Sequence, residues 1–492
     1  MKADREFFIK ARAYATITVM NLRPSRFLLA LAVAGPLAAA PPPTPPELKP
    51  HEADAREILR RAVAIRTSAG LGQVPVLVEV LVSRFRAAGF PEADIHVLPL
   101  GETASLVVRY RGEPRMGEPR KKPIALLGHM DVVTARPEEW KRDPFALVEE
   151  NGYFYGRGTI DDKNTVALLT ETFLRLKAEG FVPVRDLVLV FTGDEETRME
   201  TVQDLLARHR DLVDAEYALN GDAGGGVLAE NDGHPVAYGL QTAEKTYASF
   251  ELTTHNAGGH SSLPRKDNAI YELADALEAL RAHRFPVMWN ETTLTAFRIA
   301  GAATPGPLGE AMRRFAADPH DTAAADVLND SPANVGATRT TCVPTLLKAG
   351  HADNALPQSA TVTVNCRIFP GVKVDDVRAE LSRVAGPGVA ITPLGRPVAS
   401  EMSPLRPDVV AAVTKAVHAR HPGVPVTPYQ ESGGTDGLYF REAGIPTYGV
   451  GEVFIRDSDV FAHGLDERVP VSSFYDGLEH WYVLVKEIAG PR

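Results

Sequence analysis

What most restricts the fold of this chain is a series of short apolar runs, rich in β-branched residues, whose C-terminal ends carry imidazole and carboxylate groups. Residues 105–110, 124–128, 186–192 and 217–219 have the length and composition of strands buried on both faces. Between them Val166, Leu169, Phe173 and Leu176 recur at three- and four-residue spacing, the pattern of an amphipathic helix stopped by Gly180. Strand and helix in alternation predict an α/β fold: a mostly parallel sheet flanked by helices on both faces.

The middle of the chain has another character. Residues 247–254, 340–347 and 360–369 alternate apolar and polar side chains, and 268–280 carries a helix pattern. These units predict a smaller α+β domain with one solvated sheet face, inserted into the first. Segment 284–335, with its Pro, Gly and Ala clusters, looks like an irregular insertion within it. The expected organisation is a first domain over 50–243, the inserted α+β domain over 244–397, and a return to the first domain over 398–492.

The N-terminus has the marks of an address. Arg23 and Arg26 precede an apolar run over 27–40 that is too short to span a bilayer, and small residues follow at Ala32-Val33-Ala34 and Ala38-Ala39-Ala40. We expect 1–40 to be a leader and signal peptide, with Met20 a candidate start, and 41–49 a Pro-rich linker. The protein is then exported, periplasmic or secreted, with no stable membrane span once the signal is removed. Among its 492 residues 53 are basic and 63 acidic, a formal charge of −10, which argues against a nucleic-acid partner. Its 2 cysteines exclude a disulfide framework or a Cys-rich zinc module. A simple hairpin pivoting at Asn354 would set Cys342 opposite Cys366; because directly paired strand cysteines often have poor disulfide geometry, we expect two free buried thiols.

The strand ends carry the chemistry. Run 124–128 leads into His129-Met130-Asp131, run 186–192 into Asp194-Glu195-Glu196, and run 217–219 into Asn220-Gly221-Asp222. A Gly-rich turn, Gly156 to Lys163, opens the helix between the first two, and His463 lies near the C-terminus. Each cluster alone is as well explained by a turn or a solvated loop. In open parallel sheets, however, ligands bind beyond the carboxyl ends of the strands, so the clusters converge. Imidazole and carboxylate without thiolate suit two Zn²⁺ ions, with Co²⁺ or Mn²⁺ as substitutes. Three carboxylates (Asp161, Glu196 and Asp222) against two such cations leave one positive charge, which a hydroxide balances. Asp131, two residues beyond His129, is placed to orient its imidazole.

These motifs together resemble the dizinc aminoacylase/carboxypeptidase family, which includes acetylornithine deacetylase, succinyl-diaminopimelate desuccinylase and carboxypeptidase S. The matching stretches, from about residue 50 onward, are Gly128 to Asp131, Gly156 to Lys163, Asp194 to Glu196, Gly258 to Ser262, Asn354 to Pro357, Gly433 to Asp436, and His463-Gly464. Glu244-Lys245-Thr246-Tyr247, Arg339-Thr340-Thr341 and the stretch from Val364 to Gly371 bring it nearest the carboxypeptidase S-like branch, which holds N-acyl-amino-acid hydrolases. Asn164 after Lys163, and Thr197 after the acidic pair, depart from the frequent glycines. The resemblance implies a zinc-exopeptidase-like catalytic domain in which His129, Asp161, Glu196, Asp222 and His463 ligate metal and Asp161 bridges. It implies Glu195 as general base and His260 as donor to the oxyanion. Arg367 would hold a free α-carboxylate, assisted by Asn354 and the backbone at Gly434 and Thr435. It also makes the inserted domain a lid or dimerisation domain and allows a homodimer in which His260 and Asn354 reach the partner's site.

The function expected from the sequence is a metallopeptidase or amidohydrolase, carboxypeptidase-like, acting on short peptides or N-acyl amino acids with a free carboxylate. A metabolite deacylase of the acetylornithine or succinyl-diaminopimelate type is the alternative, against which export argues. An inactive metal-binding or dimerisation scaffold is the alternative of another class, against which an intact Glu195 argues.

Overall fold

A computed structural model describes residues 48–399 and 401–490. The expected leader over 1–40, and all but the last two residues of the expected linker, lie outside the described residues.

Four parallel strands form the centre of a ten-stranded sheet: Leu187–Thr192, Ile124–His129, Tyr217–Asn220 and Thr447–Gly449, in that spatial order. Every residue of the first three is buried, which explains their unbroken apolar sequence. Thr103–Tyr110 has the same composition but pairs antiparallel with Leu187–Thr192, and Ile95–Leu100 extends that edge. Period-two alternation then sends side chains to two cores. Leu126, Leu189 and Leu219 face the larger one, closed by helices Pro50–Ala64, Val74–Ala87, Lys163–Ala178, Pro407–Arg420 and Val471–Ala489. Ala125, Leu127, Val188 and Val190 face the smaller one, closed by Val202, Leu205, Phe440 and Ile445.

A second, four-stranded antiparallel sheet has the order Thr341–Ala349, Ser359–Ile368, Thr246–His255, Val389–Leu394. One face is covered by helices Ala269–Ala282 and Val374–Ala385, through Phe250, Leu252, Val362, Val364, Leu273 and Leu381. The alternation seen in the sequence is therefore the alternation of burial along Ser359–Ile368.

Two expectations are corrected here. Segment 284–335 is not irregular: it forms helices Glu291–Ala303, Gly306–Ala317 and Thr322–Asn329 around Phe297, Phe315 and Leu328. Its punctuating residues start helices rather than break them. Asn290 makes a capping box with Thr293, Pro307 sits in a first turn, and Asp321 caps Ala324. Cys342 and Cys366 are not free thiols but a disulfide, because the register of Thr341–Ala349 on Ser359–Ile368 sets them directly opposite, 4.0 Å apart at Cα. Among the described residues no helix is long and apolar enough to cross a membrane.

Candidate metal and catalytic site

The carboxyl ends of the parallel strands bring five side chains together. His129 ends its strand and points Nε2 at Asp161 Oδ1, 2.9 Å away, with Asp222 Oδ1 at 3.7 Å. From the other side His463 Nε2 lies 3.1 Å from Asp161 Oδ2 and 2.8 Å from Glu196 Oε2. Asp161 thus stands between two imidazoles, one carboxylate oxygen toward each. Ligand-capable atoms of His129, Asp161 and Glu196 fall within 4.8 Å of one another, as do those of His129, Asp162 and Asp222. Asp162 serves the scaffold as well, accepting the His129 backbone N–H at 3.1 Å.

Asp131 lies beside His129, but the closest bonds of its carboxylate are to the main chain of the next turn. Its backbone carbonyl is 3.1 Å from His129 Nδ1, while Oδ1 and Oδ2 accept the N–H groups of Glu195 and Glu196, each at 3.0 Å. The carboxylate holds the turn that carries the expected base; the oxygen nearest Nδ1 is the main-chain carbonyl, with the carboxylate Oδ1 farther off at 3.5 Å.

The Gly-rich turn depends on Glu467, which sequence reasoning missed. Fully buried, it accepts from the N–H groups of Gly158 and Ile160 at 3.0 Å and of Asp161 at 3.3 Å, and it pairs with Arg157. Arg157 in turn binds the Gly464 carbonyl at 3.2 Å, tying the turn to the loop that presents His463. Gly158 has φ +88°, and a Cβ there would meet Lys163 Cδ at 2.7 Å, so the close approach of that side chain needs a glycine.

Acid crowding dominates the electrostatics. Burial, then the field of Asp222, pushes Glu195 well above the ordinary carboxylate range. Burial raises Asp222 to about 6 and Asp436 to about 7. Burial opposes ionisation of Asp161 too, but hydrogen bonds from His129 and His463 hold its carboxyl well below the usual value. Its hydrogen bonds to Asp161 and Glu196 raise His463 to about 10. Six carboxylates (Asp161, Asp162, Glu195, Glu196, Asp222 and Asp436) thus face two imidazoles. This excess of buried negative charge around imidazole and carboxylate donors suits two divalent cations.

The remaining expected residues lie outside the acid and imidazole cluster, Thr435 at its border beside Asp436. Arg367 donates to the Ser432 carbonyl and lies over the Tyr247 ring at 4.7 Å. Gly434 is exposed, whereas Thr435 is buried, its hydroxyl donating to Glu244 at 2.6 Å and accepting from Asn220 at 3.0 Å. His260 and Asn354 are neighbours on the second sheet's side: His260 pairs with Ala355, and the Asn354 carbonyl accepts from Ser261. Both are exposed, and among the described residues no hydrogen bond or ion pair joins them to the acid cluster. Lys245 is a second residue that sequence reasoning passed over as chemistry. It is 2% exposed, donates to the Arg339 carbonyl at 3.0 Å, and is lowered to about 7 by burial, with Arg367 adding to the effect.

Comparison with known proteins agrees with this geometry. The N-fatty-acyl-amino acid synthase/hydrolase PM20D1 of Xenopus tropicalis is 30% identical over 357 residues, covering 70% of this chain and 69% of the relative. A probable carboxypeptidase S-like 2 of Dictyostelium discoideum is 28% identical over 386 residues, covering 74% and 71%. The crystal structure of an M20 family metallo-carboxypeptidase from Sulfolobus solfataricus superposes with a TM-score of 0.63 at 18% identity, covering 89% of this chain and 99% of that one. The model of peptidase family M20/M25/M40 matches residues 125–487, which include every residue of the acid and imidazole cluster, and the chain is therefore a metallohydrolase belonging to that family.

Proposed function

We propose that the protein is a dizinc hydrolase that cleaves the amide of an N-acyl amino acid or short peptide carrying a free carboxylate. The observation that carries this reading is Asp161, set between His129 and His463 with one oxygen toward each imidazole. His129, Asp161 and Asp222 would hold one cation, and Asp161, Glu196 and His463 the other; Co²⁺ and Mn²⁺ accept the same donors. The cations supply Lewis acidity, lowering the pKa of water and polarising a carbonyl oxygen.

The chain's own residues do the rest. Glu195, buried and crowded by acids, has the raised proton affinity a general base needs. It takes a proton as water oxygen adds to the amide carbon, and returns it to the nitrogen as the C–N bond breaks. Arg367 and Lys245, for which the described residues offer no ion-pair partner, would receive the substrate carboxylate. His260 and Asn354, exposed and bonded to no member of the acid cluster among the described residues, would serve the site of a second copy, as the resemblance implies. Export, periplasmic or secreted, is part of the proposal and rests on the N-terminal pattern.

The test combines metal analysis with hydrolysis of matched substrates bearing free or amidated carboxylates. Two cations per chain, preference for the free acid, and a loss of about 100- to 10,000-fold in Glu195→Gln with the metal retained are expected. Indifference to amidation would remove the role of Arg367 and Lys245, and near-normal turnover by Glu195→Gln would remove that of the base.

A further inference from the structure

Outside the acid cluster, a cavity of about 840 Å³, in the range of small-molecule sites, lies under the edge of the second sheet. Its walls are mainly apolar, with Leu277 and Leu280 from helix Ala269–Ala282, Leu347 and Val362 from the sheet, Leu381 from helix Val374–Ala385, and Phe285 from the connection to the inserted helices, while Glu278, Arg281, His283 and Asn329 add polar groups. None of the residues assigned above to metal or base lines it.

One feature of the lining does not suit an apolar void. Arg339 is 6% exposed, yet no carboxylate lies within ion-pair distance of it among the described residues. Its Nη1 donates to the Phe285 carbonyl at 3.2 Å, and its Nε is buried with no acceptor. Arg284 lines the same cavity and adds a second positive charge, which acts on Arg339 more strongly than the opposing charge of Asp326. A buried guanidinium without a counter-ion is costly, and an anion would relieve that cost.

We infer that this cavity binds a free long-chain carboxylate, its head group on Arg339 and its alkyl chain along Leu277, Leu280, Val362 and Leu347. The apolar walls call for a hydrocarbon body, and the planar fork of Arg339 calls for a carboxylate at one end. The site is distinct from the proposed hydrolytic one, since it shares neither Asp161 nor Glu195 nor Arg367, and it meets that site where the Arg339 main-chain carbonyl accepts from Lys245.

The test is titration of palmitate into the full-length Glu195→Gln protein, with and without saturating N-acetyl amino acid to occupy the hydrolytic site. Binding of one palmitate per chain is expected, unaffected by the N-acetyl amino acid and roughly fourfold tighter for each added methylene up to that length. Hexadecanol should compete at least about tenfold less well, and Arg339→Met should weaken palmitate by about tenfold or more. Leu277→Trp, which fills the cavity and leaves Arg339 in place, should also abolish binding, so the outcome does not depend on the fold of one variant. Undiminished binding by Arg339→Met and Leu277→Trp, displacement by the N-acetyl amino acid, or a dimer that excludes palmitate would each overturn the assignment.

Discussion

Replacing Asp131 by Asn separates two roles for its carboxylate. Oδ1 and Oδ2 each accept one N–H, from Glu195 and Glu196, at 3.0 Å, and the residue is 3% exposed. An amide keeps one acceptor and turns an NH₂ toward the other N–H. One charge-assisted bond, about 1.5–3 kcal/mol, is then lost and a buried donor, about 1–3 kcal/mol, is left unsatisfied. These losses overlap, so a net cost of about 2–4 kcal/mol falls on the turn carrying Glu195. A shift of that turn by about 1 Å costs on the order of 100-fold in turnover. His129, by contrast, keeps the main-chain carbonyl 3.1 Å from its Nδ1, which the substitution does not remove. Asp131→Asn should therefore retain its metals within a few-fold while kcat falls about 100-fold, as read by metal titration beside steady-state kinetics. The opposite pattern, metal affinity down by about 10- to 100-fold with normal turnover once saturated, would show that the carboxylate acts on the imidazole instead.

Three further outcomes are expected. Cys342 and Cys366 close a loop of sequence separation 24, so reduction or a double Ser substitution should cost roughly 3 kcal/mol of stability; an unfolding midpoint indifferent to reductant would contradict the pairing. Burial raises Glu171 to about 8, so its folded state holds a proton that the unfolded chain releases near 4.5, and the favourable contribution present at low pH is lost as pH rises through 8. Glu171→Gln should accordingly be the more stable protein at pH 9 but not below pH 4.5, by about 1.4 kcal/mol per unit of displacement, as denaturant melts at the two pH values would show. Glu244 and Arg441, with side chains 0% and 1% exposed and 2.8 Å apart, form a buried pair, so Glu244→Gln should destabilise by about 3–5 kcal/mol, part of which Arg441→Met in the same chain restores. Additive losses in that cycle would show the two side chains to be uncoupled.

The parts of the fold that were legible in the sequence are those where one physical demand acts alone. Strands buried on both faces must be apolar throughout, so Ile124–His129 and Leu187–Thr192 announce themselves, and the acids at their ends stand out against that background. Pairing direction leaves no such mark: Thr103–Tyr110 is buried at six of its eight residues and yet runs antiparallel to Leu187–Thr192. In 284–335 proline and glycine read as breakers, whereas Pro307 in a first turn costs no hydrogen bond. Glu467 was invisible because it lies in a polar stretch, Asp466-Glu467-Arg468; only the fold, by wrapping the turn of Gly158 to Asp161 around it, makes it a buried acceptor of three N–H groups.

The junction of the two sheets shows why polar groups are kept in so costly a place. Glu244 ends the strand Pro235–Glu244 and Thr246 begins the first strand of the second sheet, so Lys245 is the residue between them. Its backbone N–H binds the Glu431 carbonyl at 2.9 Å. Glu244 holds Arg441 and accepts from Thr435, Thr435 accepts from Asn220, and the Asn220 side chain accepts the Asp222 N–H at 3.2 Å. An apolar replacement of similar volume could be as stable, but it would have no directional bonds. The chain of donors and acceptors runs from the acids at the strand ends to the residue beside Lys245, and Lys245 in turn binds the segment leading into Thr341, opposite Arg367 in the second sheet. It therefore fixes how far the proposed carboxylate anchor stands from the proposed scissile bond, which is the dimension an exopeptidase must hold constant whatever side chain its substrate carries.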